Sequence, residues 1–266
     1  MTDGQDLGLD RPSGARIYDY MIGGKDNFDV DRKVADAMLA VAPSVGVSAR
    51  ANRDFLQRAV RYLVAEAGVR QFLDIGSGIP TMSNVHQVAQ DIDPDCRVVY
   101  VDNDPIVAAH SRALLVRDER TAFVTADATN PAGILAAEEL TRTLDLSRPV
   151  ALMFVSFLMY FDDLVAANIV SALRNALPPG SYVVISHPTA DLAADEDELK
   201  SLQAAGAAAT AGGVTYVPRT RDQVADLLAG TTLVPPGLVP MQQWRRPAAV
   251  RPGVRVHYWV GVGRTP

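Results

Sequence analysis

The apolar positions of this chain switch between a helical period and short uninterrupted runs. Residues 1–14 are polar and punctuated by Gly and Pro, which reads as a loose tail. Residues 15–42 carry a helical patch, a break at Gly23-Gly24 and a second helical patch from Asp29. Over 51–67, Phe55, Leu56, Ala59, Val60, Leu63 and Val64 recur at helical spacing, and Gly68 stands where a C-terminal cap belongs. Strand and helix then alternate. Residues 71–75, 97–101, 122–126, 150–155 and 182–186 read as strands, the fourth apolar throughout and suited to the middle of a sheet. The intervening helices cover 83–92, the stretches opened by Asp104-Pro105 and Asn130-Pro131, and 163–177. Such alternation is the signature of a parallel sheet covered on both faces.

The pattern changes after 186. Residues 191–211 are Ala-rich, with an acidic run at 195–198 that reads as a solvated helix face. Thr220 and Gln223 match a capping box that opens a short helix to Ala229. Residues 233–234 and 254–262 are the last strand candidates, joined by a Pro-rich hairpin connection and therefore antiparallel to each other.

Composition narrows the function classes. The 266 residues suit one large domain or two small ones, and 48% hydrophobic with 21% charged residues is the balance of a folded chain. A net charge of −6 argues against a nucleic-acid partner, which calls for a basic footprint. The single cysteine, Cys96, excludes an intramolecular disulfide and a cysteine-cluster metal site, and no metal is expected. The acidic N-terminal segment lacks a secretory pattern. The longest apolar run, 150–161, is interrupted only by Ser156 and falls short of the roughly 18 residues of a membrane span. A cytoplasmic protein with no membrane partner is expected.

The strongest local signal is Phe72-Leu-Asp-Ile-Gly-Ser-Gly-Ile-Pro80. A strand ends at Asp74, and Gly76, Ser77 and Gly78 turn the chain before the next helix. Glycines there let the backbone approach a ligand, although a turn that only needs positive φ would use them too. Asp102 ends the second strand, where a carboxylate can accept from ribose hydroxyls. A helix-capping role is the competing reading, but Asp104 is better placed for it. Asp127 ends the third strand, where a carboxylate can accept from an adenine amino group or cap a loop. Three successive strand ends of this kind point to an adenosyl ligand. Dinucleotide enzymes usually carry a third glycine under the pyrophosphate, whereas Ile79, Pro80 and Thr81 follow Gly78 here. A ligand without pyrophosphate fits better, and S-adenosylmethionine is one.

Asp74-Ile-Gly-Ser-Gly with Asp102 and Asp127 resembles the class I S-adenosylmethionine-dependent methyltransferases. More narrowly, Ala15-Arg-Ile-Tyr-Asp-Tyr-Met-Ile-Gly-Gly-Lys-Asp-Asn-Phe28, Arg50-Ala-Asn-Arg-Asp-Phe-Leu56, Tyr100-Val-Asp-Asn-Asp-Pro105, Pro179-Gly-Ser-Tyr-Val-Val-Ile-Ser-His187 and Val260-Gly-Val-Gly-Arg264 are similar to a bacterial methyltransferase family long catalogued as a domain of unknown function. The resemblance implies an α/β, Rossmann-like, mostly parallel sheet of seven strands with the last antiparallel. It implies an N-terminal tail and helical cap over 1–50, within the same domain as a cofactor-binding part over 51–266. Cofactor contacts are implied at Asp74, Gly76, Ser77, Gly78, Asp102, Asn103, Asp127 and Ala128, with Ser156 at the fourth strand end.

Two family features are absent. Met159 stands where many small-molecule methyltransferases have a histidine after the fourth strand, and the Asn/Asp-Pro-Pro-Tyr tetrapeptide of amino-group enzymes is missing. The expected acceptor is a small molecule. Residues 15–32 are expected to form a lid, with Tyr18, Asp19, Tyr20 and Phe28 near the acceptor and Gly23-Gly24 as its bend, although a plainly packed helix hairpin would look the same. Phe157, Met159 and Tyr160 sit at the strand end that would line the pocket. No catalytic residue is identified; Tyr18, Tyr20 and His187 are candidates, with a satisfied structural histidine as the competing reading of His187, and Arg50, Asn52 and Arg53 could reach a carboxylate or be solvated helix residues. Trp244 and Trp259 read as core or loop anchors. The alternatives are an NAD(P)-dependent oxidoreductase and a non-catalytic S-adenosylmethionine-binding protein.

Overall fold

The computed structural model describes residues 7–81, 83–246 and 255–266. The chain opens with three helices, α1 (Gly14–Met21), α2 (Asp29–Val41) and α3 (Ser44–Ala65). The alternating part follows as β1 (Gln71–Ile75), α4 (Val85–Gln90), β2 (Arg97–Asp102), α5 (Pro105–Leu114) and β3 (Thr121–Thr125). Two short helices, α6 (Pro131–Leu135) and α7 (Glu138–Thr143), lead to β4 (Ala151–Val155), α8 (Asp163–Asn175) and β5 (Tyr182–Pro188). The last part holds α9 (Glu196–Ala211), α10 (Arg221–Leu227), β6 (Thr232–Leu233), β7 (Val239–Pro240) and β8 (Tyr258–Arg264).

The caps form as the sequence indicates. Asp104 accepts from the amides of Ile106 and Val107, Asn130 from that of Gly133, and Thr220 and Gln223 complete a reciprocal capping box. α3 begins at Ser44, earlier than the apolar periodicity indicates, so it runs unbroken across the 50/51 boundary between cap and cofactor-binding part.

The strands pair in the order β3-β2-β1-β4-β5-β8-β6, with β7 also on β8. β1 to β5 are parallel, and β8 runs antiparallel between β5 and β6. The described sheet has eight strands, one more than the expected seven, because the Pro-rich connection contributes the two-residue β7. Period-2 alternation divides the core. Phe72, Val98, Tyr100 and Met153 face α3, α4 and α5, while Leu73, Val99, Leu152 and Phe154 face α6, α7, α8 and α10. Strand order reverses between β1 and β4, where the helices diverge to opposite faces and leave a crevice at the carboxyl ends.

A third apolar cluster builds the cap. Ile17, Met21, Val34 and Met38 of α1 and α2 pack with Leu202, Ala205 and Ala209 of α9, so the cap recruits a helix from far along the chain. A buried ion pair fastens it. Arg16 donates from Nε to Asp31 at 3.0 Å, and its guanidinium lies 3.7 Å from the Asp104 carboxylate that caps α5. Asp31 also accepts from the amides of Ser13 and Phe28, so the buried charges are compensated.

Arg16→Met leaves two acids facing an apolar stub. Chemical denaturation should show a loss of about 3–5 kcal/mol. A loss under about 1 kcal/mol, the range of exposed ion pairs, would contradict this anchoring role.

Candidate active site

A cleft with an empty volume of about 1680 Å³, its open mouth included, lies at the carboxyl ends of β1 to β4, with α1 as one wall. Its floor is the turn after β1. Gly76 and Gly78 have φ of +70° and +66°, and a Cβ on Gly76 would fall 1.9 Å from the Phe157 ring. Glycine is therefore required at 76 by conformation and by space. The amides of Gly76 and Ser77 donate to the Val101 carbonyl, and Pro80, in place of a third glycine, leaves the turn intact.

The three strand-end carboxylates converge on this cleft in different states. Asp102 accepts from the amide of Gly78 at 2.9 Å and that of Asp104 at 3.0 Å, which fixes its plane against the glycine turn. Each of its oxygens retains acceptor capacity. Asp127 is exposed and accepts through Oδ1 from the amide and hydroxyl of Thr129. Asp74 is only 5% exposed. Burial and the charge of Asp102 push its carboxyl up to about 7 against the lowering influence of Arg53. Ser77, Asn103, Ala128, Ser156, Phe157 and Tyr160 complete the lining on the sheet side. The Ser77 hydroxyl is buried without a hydrogen-bond partner among the described residues.

Opposite the turn, Tyr18 and Asp19 of α1, Ile22 just after it, and Asn52 and Arg53 of α3 line the cleft. A buried polar chain joins the two sides. Asn52 donates to the Tyr18 hydroxyl at 3.0 Å and accepts from the Ser186 hydroxyl at 2.7 Å. Ser186 in turn accepts from the Ser156 amide, and the Ser156 hydroxyl contacts that of Tyr258 at 2.7 Å. Ser156 is held at φ +59°, a strained setting for a side chain, next to this chain. Tyr18 spends its own proton on the Ala49 carbonyl. Asp19 binds the amide of Asp26 and the side chain of Asn27, so it secures the turn between α1 and α2.

Five expected site residues lie outside the cleft. His187 is fully buried: Nδ1 donates to the Pro188 carbonyl, and Nε2 accepts from Arg219 at 2.8 Å. Burial holds its pKa down at about 3, so it is a neutral structural histidine and not a base. Tyr20 projects the other way from Tyr18 and donates to Asp36 on α2. Phe28 packs against the Arg16 guanidinium. Met159 is buried in an adjoining cavity. Arg50 is tied to the Met21 carbonyl. Trp244 is buried edge-on to Phe55 and Tyr62, and Trp259 donates to Asp191, as anchors.

Ser186, Tyr258 and Arg219 were not singled out by the sequence. Arg219 grips the carbonyls of Leu158 and Phe161 and so fixes the turn after β4. Ser186 and Tyr258 carried a usable signal: an antiparallel last strand must begin where the parallel strands end, which puts Tyr258 opposite Pro188.

The chain matches the S-adenosyl methyltransferase family over residues 1–266. It superposes on a DUF574-family protein from Streptomyces avermitilis with a TM-score of 0.92 and 42% identity, covering 98% of this chain and 100% of that one. A presumptive methyltransferase from Thermobifida fusca gives 0.90 and 38%, covering 100% and 99%. The N-methyltransferase NodS from Bradyrhizobium japonicum, solved with S-adenosylhomocysteine, gives 0.50 and 14%, covering 94% and 99%, and supports the fold alone. No curated protein matches the chain significantly. The positive-φ glycine cradle, the strand-end acids and the unpartnered Ser77 hydroxyl fit the cofactor of that family, and the family match sets the oxidoreductase alternative aside. The chain belongs to the S-adenosyl methyltransferases, and its cofactor is S-adenosylmethionine.

Proposed function

We propose that this protein transfers the methyl group of S-adenosylmethionine to a small molecule held between α1 and the end of β4. The observation that carries the reading is the convergence, in one cleft, of a glycine cradle and the carboxylates of Asp74, Asp102 and Asp127. Asp102, already oriented by two backbone amides, would take the ribose hydroxyls. Asp127, whose Thr129 contacts both use Oδ1, would take the adenine amino group. Gly76, Ser77 and Gly78, with Asp74 and Arg53 beside them, would hold the methionine end. Asn103 and Ala128 would flank the adenosyl group, and Ser156 would close the side facing the acceptor.

The cofactor supplies an activated methyl on a positive sulfur, so the protein's work is positioning and exclusion of water. Tyr18 and Tyr160 stand over the acceptor side. Both hydroxyls are raised above the usual tyrosine value by burial, and Tyr18 is already committed to Ala49 and Asn52. Neither is a base near neutral pH. With His187 sequestered, Met159 apolar and Asp19 engaged by the Asp26 amide and the Asn27 side chain, no histidine stands at that wall among the described residues to act as a general base. The acceptor therefore reacts through a lone pair it already has, as an amine or a phenolate does, and loses any proton to solvent.

Calorimetric titration with S-adenosylmethionine tests the site. Asp102→Asn keeps the shape but removes a charge, and a charge-assisted hydrogen bond is worth about 1.5–3 kcal/mol, so affinity should fall roughly 10- to 100-fold. Unchanged affinity would remove Asp102 from the cofactor site.

Asp74 makes a second, pH-dependent prediction. Its folded value is raised, to about 7, above the ordinary 3.8. It therefore contributes stability that is fully present at low pH and is lost as pH rises through about 7. A cationic ligand beside it favours the carboxylate. Affinity for S-adenosylmethionine should rise between pH 6 and 8, while the melting temperature of the ligand-free protein falls. Asp74→Asn should flatten both profiles; equally flat wild-type profiles would contradict the assignment.

A further inference from the structure

The strand-end carboxylates do not account for all the acid in the cleft. Asp19, Asp74, Asp102, Asp104 and Asp127 line it, against Arg53 as the only basic side chain in the described lining. Asp104 is offset by Arg16, 3.7 Å away. The cofactor reading uses Asp74, Asp102 and Asp127. Asp19 is left over.

Asp19 lies on the face of the first helix that is turned to the cleft. Ala15, Tyr18, Asp19 and Ile22 follow one another at helical spacing and all line it, and Asp19 is the charged member of that stripe. The residue is only 2% exposed. Its hydrogen bonds, from the Asp26 amide at 3.0 Å and the Asn27 side chain at 2.9 Å, both end on Oδ2. Arg32 holds Asn27 through its backbone and side-chain oxygens, which fixes this arrangement. Oδ1 accepts no hydrogen bond from the described residues, yet it is not sealed from solvent as the Ser77 hydroxyl is. His110, the basic group that acts on Asp19, lies 3.7 Å from Asp26 instead. A carboxylate buried without a cation is costly, and burial accordingly raises this carboxyl above its ordinary value.

We infer that the methyl acceptor is a small molecule with a basic amine, bound as a cation with its N–H on Oδ1 of Asp19 and its body against Phe157, Tyr160 and Phe161 on the aromatic side of the cleft. The naming of this amine as acceptor rests on the methyltransferase reading. A phenolate would add a negative charge to an acidic cleft, whereas an ammonium offsets one. In the reaction the ammonium gives one proton to the water of the open cleft. The nitrogen lone pair then forms the bond to the methyl carbon, and the C–S bond breaks with its electron pair on sulfur. The positive charge passes from sulfur to nitrogen, beside Asp19. An Asn/Asp-Pro-Pro-Tyr tetrapeptide is not needed, because a basic amine keeps its lone pair on nitrogen. Asp19 acts here through recognition of charge and not as a base.

The test titrates protein saturated with S-adenosylhomocysteine, so that the acids assigned to the cofactor are occupied. The probes are benzylamine, a cation at neutral pH, and benzyl alcohol, its neutral near-isostere. Calorimetry should find benzylamine about 10- to 100-fold tighter, the range of a charge-assisted hydrogen bond. Asp19→Asn keeps an oxygen for Asp26 and Asn27 but removes the charge. It should bring the two probes to within about threefold of each other while S-adenosylhomocysteine affinity stays within twofold. Ile22→Lys, one turn along the same stripe, supplies a resident cation and should have the same effect. Equal affinity for the two probes in the wild type, or a preference that survives in Asp19→Asn, would overturn the inference. A larger loss of S-adenosylhomocysteine affinity in Asp19→Asn would assign this carboxylate to the cofactor and overturn it as well. Failure of S-adenosylhomocysteine to bind the wild type would instead strike the methyltransferase reading, and the naming of the amine as acceptor with it.

Discussion

The two walls of the cleft belong to different layers of the protein, and one buried amide, Asn52, holds them in register. Its donor end binds Tyr18 on the cap and its acceptor end binds Ser186 near the carboxyl end of β5. A buried side-chain amide leaves little freedom, because each end must be satisfied where it stands. The chain of contacts continues to the Ser156 amide, whose residue sits at positive φ where β4 hands over to the turn lining the cleft. The position of α1 over the strand ends is thereby tied to the backbone of the strands themselves. Arg16 adds a second tie, from the cap to the start of α5 beside Asp102. Cap and cofactor floor are therefore one mechanical unit, and the acceptor side inherits its shape from both.

Much of this was legible in the sequence because it follows local rules. The strands show as β-branched or apolar runs, the caps as Asp-Pro, Asn-Pro and Thr-x-x-Gln, and the glycine turn as a spacing. The failures share a cause. His187 was placed by its position at a strand end, but side chains alternate along a strand, so its neighbour Ser186 meets Asn52 while His187 turns to Arg219. Tyr20 is two residues from Tyr18 on a helix, which puts it on another face. The partnership of α9 with α1 and α2 rests on packing between segments far apart in sequence, which no local pattern records. Local periodicity locates an element; the direction of each side chain depends on what the element packs against.

Electrostatics gives the site its polarity. Part of the chain's acidity is concentrated where a positive ligand is expected, with Asp74 buried deeply enough that its charge is costly until something cationic stands beside it. The cap side is different in kind. Its hydroxyls are spent on internal hydrogen bonds or raised by burial, and its interior is apolar. The cleft thus sets a charged half, proposed to hold the methyl donor, against a less polar half proposed to face the acceptor.

The crystal structure of the S-adenosylhomocysteine complex tests this division most directly. Ribose oxygens are expected on Asp102, the adenine edge at Asp127, and the sulfur directed at the gap between Tyr18 and Tyr160. A sulfur directed away from that gap, or an adenosyl group bound elsewhere than at Asp102 and Asp127, would contradict it.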